Sequence, residues 1–267
     1  MTGADFTEDQ IQRYARHIVL PQVGGSGQQR LLTASVLVVG AGGLGSPLVL
    51  YLAAAGVGRI GIVDDDAVDL SNLQRQIAHG TADLGTPKAV SAAAAARRIN
   101  PTITLEPHEQ RFEPANAAGL VAEYDVIADG SDNFATRFLV NDACVLAGKP
   151  LVSAALLRFE AQLATWKGYA AEHPCYRCLF PGPPPPGTVP TCAQGGVFGA
   201  LAGQAGSFQA IEVIKEILGI GTSLAGWLVL IDALDGESRK VRVRPDPDCP
   251  VCGTRPTITD LSVHAAG

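Results

Sequence analysis

Four of the six cysteines fall into two Cys-x-x-Cys pairs, Cys175-Tyr-Arg-Cys178 and Cys249-Pro-Val-Cys252. Four thiolates from two such pairs suit a tetrahedral zinc ion, and a site filled by four sulfurs keeps no open position for chemistry. The expected role is therefore structural, a staple holding the C-terminal segment to the region near residue 175. Two unrelated pairs or two redox motifs are the alternative. Cys144, beside Ala143 and Val145, reads as a small core residue. Cys192 follows a Pro-rich stretch; it is an ordinary loop thiol unless its pKa is lowered, in which case it is a nucleophile.

A second group centres on glycine. Gly40-Ala-Gly-Gly-Leu-Gly45 follows the β-branched run Ser35–Val39 and precedes the helical stretch Leu44–Ala55. Gly40, Gly42 and Gly45 thus match G-x-G-x-x-G in its strand–turn–helix setting, where glycine permits a tight turn and backbone N–H groups meet a phosphate at the helix N-terminus. Asp64 ends the next strand and is placed to accept from a ribose hydroxyl. The motif does not separate NAD from ATP. Ser71-Asn-Leu-Gln-Arg75-Gln lies in the polar loop that follows. Arg75 there could clamp a triphosphate and Asn72 add a neutral donor, or the loop could simply be solvated. Lys88 sits in the first turn of a predicted helix, where a cation opposes the helix dipole at a cost of about 0.3–1 kcal/mol that a bound phosphate would offset. An ammonium in water is equally compatible. Asp132 follows a predicted parallel strand, at the sheet edge where ligands of open α/β sheets bind, and could hold Mg²⁺ beside a triphosphate or cap the next helix.

The elements that must carry these residues follow from periodicity. Thr7-Glu-Asp-Gln10 is a capping box ahead of Ile11, Tyr14, Ala15 and Ile18 at helical spacing. A short helix over Gly27–Leu32 precedes the first strand. Strands are predicted at Arg59–Asp64, Ile103–Glu106, Tyr124–Asp129 and Leu151–Ala154. Helices are predicted from Thr86-Pro87, as N-cap and first helical residue, to Arg98, over Asn116–Glu123, and from the Asp132 loop to Ala147. This alternation means a Rossmann-like doubly wound, mostly parallel α/β sheet. Beyond Ala155 come a strand at Ala161–Trp166, a Pro/Gly-rich loop over Pro181–Pro190, a long helix Val197–Leu218 and a hairpin of Leu228–Asp232 with Arg239–Arg244. This makes an antiparallel C-terminal extension. The expected organisation is an N-terminal helical arm (1–34), a nucleotide-binding region (35–155), and a carrier-binding and zinc lobe (156–267) of the same domain.

With 47% hydrophobic residues and 17% charged, the chain can build a substantial core and is not a disordered protein. Its net charge of −6, with no dense Lys/Arg run, speaks against nucleic acid as a partner. No apolar stretch is long enough for a bilayer, and Met1–Gln10 lacks the layout of a signal peptide, so a cytoplasmic protein is expected.

In this order the motifs resemble the MoeB/ThiF/HesA family of the ubiquitin-activating superfamily. The resemblance runs from about Arg13 to Gly253. It rests on Arg13-Tyr-Ala-Arg16, Gly40–Gly45 with Ser46, Asp64-x-Asp66, Ser71–Gln76, Gly85-x-Pro-Lys88, Asp129-Gly-Ser-Asp132-Asn, Pro174–Cys178 and Cys249–Cys252. It implies that Gly40, Gly42, Gly43, Gly45, Asp64 and Asp66 hold ATP, that Asn72, Arg75 and Lys88 contact its phosphates, and that Asp132 binds Mg²⁺. It implies that Arg16 reaches into a neighbouring subunit's site, so that a homodimer is the active unit. Cys192 aligns with a loop cysteine that some relatives use for a covalent link. The implied reaction is adenylylation of the C-terminal glycine of a small ubiquitin-like sulfur-carrier protein ending in Gly-Gly, before thiocarboxylate formation for molybdopterin or thiamine synthesis. As the sequence ends soon after Cys252, sulfur is expected from a separate donor protein.

Two other readings compete. An NAD-dependent oxidoreductase accounts for the glycines and Asp64 but not for the cations or the cysteines, and His79, the nearest histidine, has no obvious partner as a proton donor. A scaffold without catalysis leaves Arg75, Lys88 and Asp132 unexplained.

Overall fold

A computed structural model of the chain describes residues 6–185 and 187–265, with the backbone alone at residues 192 and 193. Two helices, α1 (Glu8–Ile18) and α2 (Gly24–Thr33), precede the alternation β1 (Ser35–Val39), α3 (Gly45–Ala55), β2 (Arg59–Val63), α4 (Lys88–Ile99), β3 (Thr104–His108), α5 (Pro114–Ala122), β4 (Val126–Asp129), α6 (Phe134–Ala147) and β5 (Leu151–Leu157). Then follow β6 (Glu160–Trp166), two one-turn helices α7 (Tyr176–Leu179) and α8 (Cys192–Gly195), the long α9 (Gly199–Leu218), β7 (Trp227–Asp232) and β8 (Glu237–Arg242).

All strands join one eight-stranded sheet in the order β3-β2-β1-β4-β5-β6-β7-β8. β1 to β5 run parallel; β5 through β8 pair antiparallel. The seven-residue β5–β6 register, Leu151↔Trp166 to Leu157↔Glu160, carries the sheet straight from the parallel part into the extension. β5 is longer than the predicted Leu151–Ala154 because Ala155, Leu156 and Leu157 gain partners only from this returning strand.

Alternation along the strands separates two cores. Val36, Val38, Ile60, Ile62, Val126 and Ala128 face α3, α4 and α9. Leu37, Val39, Val63 and Ile127 face α5 and α6. Sheet faces buried on both sides explain the near-continuous apolar runs of β1 and β2. Leu48 and Leu52 of α3 are fully buried and each contribute about 1.5–3 kcal/mol.

The N-terminal arm is tied down. The capping box at Thr7 and Gln10 forms as expected. Arg13 donates to the Ile99 carbonyl at 2.8 Å, and Tyr14 is buried with its hydroxyl accepting from Asn100. At the far edge every residue of β8 is exposed, and Lys240 and Arg242 lie 4.8 and 5.0 Å from the Trp227 ring centre. Among the described residues no helix is long and apolar enough to cross a membrane.

Candidate active-site cleft

The strand order reverses between β1 and β4, and a cleft of about 550 Å³ opens at that point, at the C-terminal ends of the parallel strands. Gly40, Asp64 and Gly130 each directly follow a strand and line it.

The glycine loop is compressed to a degree only glycine tolerates. Gly40 has φ +92°, and a Cβ on Gly45 would sit 1.8 Å from the Gly40 carbonyl oxygen. α3 then starts at Gly45 with no side-chain cap; the Ser46 N–H donates to the Gly42 carbonyl at 2.9 Å, and Pro47 has no N–H to offer. Two contacts hold the loop from below. Asp64 accepts from the Ala41 N–H at 2.7 Å and from the Asp66 N–H at 2.9 Å. Burial raises the Asp64 pKa, and these two bonds counter the shift. His79 is buried, with Nε2 at 3.0 Å from the Ala41 carbonyl oxygen and Nδ1 at 2.9 Å from the Ser91 hydroxyl. A carbonyl only accepts, so Nε2 carries the proton and Nδ1 accepts from Ser91. Burial lowers the His79 pKa, in keeping with this neutral form. His79 therefore has partners that its loop position did not reveal, and its ring is occupied in supporting the glycine turn.

Lys88 is the first residue of α4. Pro87 occupies the cap position rather than the first helical position, and no side chain caps this helix. The Lys88 side chain is only 7% exposed and its Nζ donates to the Asp66 carboxylate at 2.7 Å. An ammonium freely in water is thereby replaced by one drawn into the cleft wall. Arg75 lines the same wall, and its guanidinium donates to the Ser71 carbonyl at 3.1 Å. Asn72 serves the turn with its side-chain oxygen, which accepts from the Asp69 N–H at 3.2 Å, and it is not part of the cleft lining.

Asn133 caps α6, accepting from the Thr136 N–H at 2.8 Å. Asp132 is thus spared the capping role. It is exposed on the cleft rim and makes no hydrogen bond or ion pair among the described residues. Behind it Asp129 is fully buried, and burial raises its pKa. Buried polar atoms at the cleft without a protein partner include Gln76 Oε1 and Ser131 Oγ. Buried polar atoms left unpaired are uncommon, and at a cleft a water, an ion or a ligand is what usually satisfies them. The cleft runs on past Arg137 to Leu157, Gln162 and Phe180.

Arg16 projects, exposed, from α1 and does not line this cleft. Cys192 lies in α8, but its side chain is outside the described residues.

Away from the cleft, Cys175, Cys178, Cys249 and Cys252 converge, with their sulfurs all within 4.8 Å of one another. Cys175–Cys249 and Cys178–Cys252 separations are 3.5 and 3.3 Å. Four sulfurs about 2.3 Å from a tetrahedral zinc would lie about 3.8 Å apart, so the set fits that ion with little adjustment. Hydrogen bonding from Cys175 lowers the Cys178 thiol, and the Asp246 N–H adds to the effect from 3.4 Å. Arg177, between the first two cysteines, forms a bidentate pair with buried Asp142 of α6, which also meets His264 at 2.8 Å.

Sequence reasoning missed His79, Gln76, Ser131 and Arg137. For Arg137 a signal existed: a cation in the first turn after a good N-cap opposes the helix dipole, the same argument that singled out Lys88.

A glycine turn at a helix N-terminus, an acid after the second strand and the cations Arg75 and Lys88 in one cleft define a doubly wound α/β protein with a glycine-rich loop at its switch point. The chain belongs to the ThiF family, whose model matches residues 14–251. It is 56% identical to the adenylyltransferase and sulfurtransferase MOCS3 of Bos taurus over 97% of this chain and 56% of that protein, and so spans just over half the length of that relative. It is 51% identical to the sulfur carrier protein adenylyltransferase of Thermus thermophilus over 98% of this chain and 97% of that one. Among solved structures, the crystal structure of E. coli MccB shares the fold, with a TM-score of 0.80 at 22% identity, covering 94% of this chain and 74% of that one.

Proposed function

We propose that this chain uses ATP to adenylylate the C-terminal glycine carboxylate of a small ubiquitin-like sulfur-carrier protein ending in Gly-Gly. A carboxylate oxygen attacks the α-phosphorus, the bond to the bridging oxygen breaks, and pyrophosphate leaves. The observation that carries this reading is one cleft of about 550 Å³ lined by the glycine loop, Arg75, Lys88 and Asp132 together with Arg137, Gln162 and Phe180. Attacking group and phosphate are both anionic, so positioned cations and an excluded solvent supply most of the help needed. Gly40, Gly42, Gly43, Gly45, Asp64 and Asp66 would hold the nucleotide, and Arg75 and Lys88 its phosphates. Asp132, unpaired at the rim, suits Mg²⁺, which when bound neutralises phosphate charge. The chain's names-bearing relatives, called sulfur carrier protein adenylyltransferase and MOCS3, support the same activity.

Three further assignments rest on the same reading. The four cysteines would hold a structural zinc. The exposed Arg16 would complete a neighbouring copy's site in a homodimer. A separate protein would donate sulfur, in a cytoplasmic pathway to molybdopterin or thiamine.

The test is ATP–pyrophosphate exchange with candidate carriers from the same organism. Exchange that depends on a Gly-Gly-ending carrier is expected. Its absence with every such carrier, or binding of NAD⁺ in preference to ATP by calorimetry, would reject the reading.

A further inference from the structure

Arg137 is the fourth residue of α6 and lines the cleft. Its guanidinium is held from behind and on one edge by the protein. One guanidinium nitrogen, Nη2, donates to the Ser131 carbonyl at 2.8 Å. Nε is buried and has no hydrogen-bond partner; the nearest acidic oxygen, Asp129 Oδ2, is 3.9 Å away and is itself unpaired. The Phe134 ring lies 5.8 Å from the guanidinium carbon. The Tyr176 hydroxyl is near enough that Arg137 pulls its pKa down, against the rise caused by burial. Asp129 is therefore an incomplete counter-ion: close enough to orient the guanidinium, too far to saturate it.

The cleft gives Arg137 two neighbourhoods. Arg137 shares the cleft lining with Asp132 and the glycine loop, and it borders a smaller hollow together with Gln162 and Phe180. Arg75 and Lys88 line the nucleotide side. Arg111 also lines the cleft but is exposed to water, whereas the Arg137 side chain is only 13% exposed and so meets an anion with less competition from solvent. Planar guanidinium donors match a carboxylate in two parallel bonds, as an ammonium does not.

Resting on the adenylylation reading, we infer that Arg137 binds the terminal carboxylate of the incoming peptide and aligns it for attack. Arg137 is on this account a substrate-binding residue, specific for a free C-terminal acid over an amide. Asp129 is a positioning residue that acts through it.

The probe is a synthetic peptide ending in Gly-Gly, made as the free acid and as the C-terminal amide. Affinity for the full chain is measured by calorimetry or NMR titration in the presence of a non-hydrolysable ATP analogue. Wild type is expected to prefer the acid by about tenfold or more, in line with a charge-assisted pair. Arg137→Gln should lose that preference and keep its affinity for the analogue within about threefold, and Arg137→Lys should recover only part of it. Should Arg137→Gln fold poorly because Asp129 is left unpaired, the double variant Asp129→Asn/Arg137→Gln removes both charges and is read in the same way. A wild type indifferent to acid or amide, a glutamine variant that keeps the preference, or an equal loss of analogue affinity would overturn the inference. Carrier-dependent pyrophosphate exchange by wild type is measured alongside. Its absence would reject the adenylylation reading, even where the peptide measurement upheld Arg137.

Discussion

Replacing Lys88 with Met separates a charge lost to the phosphates from a charge lost to the fold. Met keeps the length and apolar character of the buried stem and deletes the ammonium. The only ion pair broken is with Asp66, whose side chain is 67% exposed and can return to water. Such half-exposed pairs are worth about 0–1 kcal/mol. For a chain of 267 residues, at about 2 cal/mol/K of unfolding entropy per residue, this lowers Tm by at most about 2 °C. A hydrogen bond from the ammonium to a phosphate is worth about 1.5–3 kcal/mol, which corresponds to about 10- to 150-fold in affinity or rate. Lys88→Met should therefore melt almost like wild type and lose at least tenfold in kcat/KM for ATP in the exchange assay. Less than threefold loss at an unchanged Tm would show that Lys88 does not meet the phosphates. A fall of 5 °C or more, again at about 2 cal/mol/K per residue, would show that Asp66 does not recover its hydration as argued.

Four other outcomes are expected. Asp132→Ala, a change at an exposed residue with no protein partner, should reduce exchange by about 100-fold or more while leaving Tm within about 2 °C; normal exchange would remove Asp132 from the Mg²⁺ site. Gly45→Ala forces a Cβ to 1.8 Å from the Gly40 carbonyl, so the loop must open, at about 3 kcal/mol and about 5 °C in Tm with weakened ATP binding. Gly119→Ala, which meets nothing within 4 Å, should instead stabilise by about 0.5–1 kcal/mol. Metal analysis should find about one zinc per chain, and chelation should expose the segment after Asp246 to protease; a metal-free protein with full protection would contradict the zinc assignment.

Much of the cleft was readable from local pattern because its parts sit at element ends. Gly40–Gly45 is bounded by a β-branched run and a helical one, Asp64 follows the second strand, and Lys88 opens a helix, so their common edge followed from the alternation alone. The cysteine quartet was legible for a different reason: thiolate chemistry limits what two such pairs can do. What escaped depends on which distant segments fold back. Phe180 and Leu157 reach the cleft only through the antiparallel return of β6 and the segment after it, and no local period encodes that. His79 is visible as a loop residue, but its use as a prop for Ala41 is set by a contact 38 residues away. Asn72 and Asn133 were two polar residues among several in loops that could have met ligand or backbone; both turned to the backbone, and the second did so in place of Asp132.

The outermost strand has a consequence for how the molecule behaves in a crowd. A sheet's last strand presents unpaired amides that any passing extended segment could join. Here that strand carries Arg239, Lys240 and Arg242 on a protein that is acidic overall. Two copies pairing antiparallel about the centre of that strand would set Arg239 beside Lys240, a repulsion that works against edge-to-edge growth, with Glu237 beside Arg242 offsetting part of it.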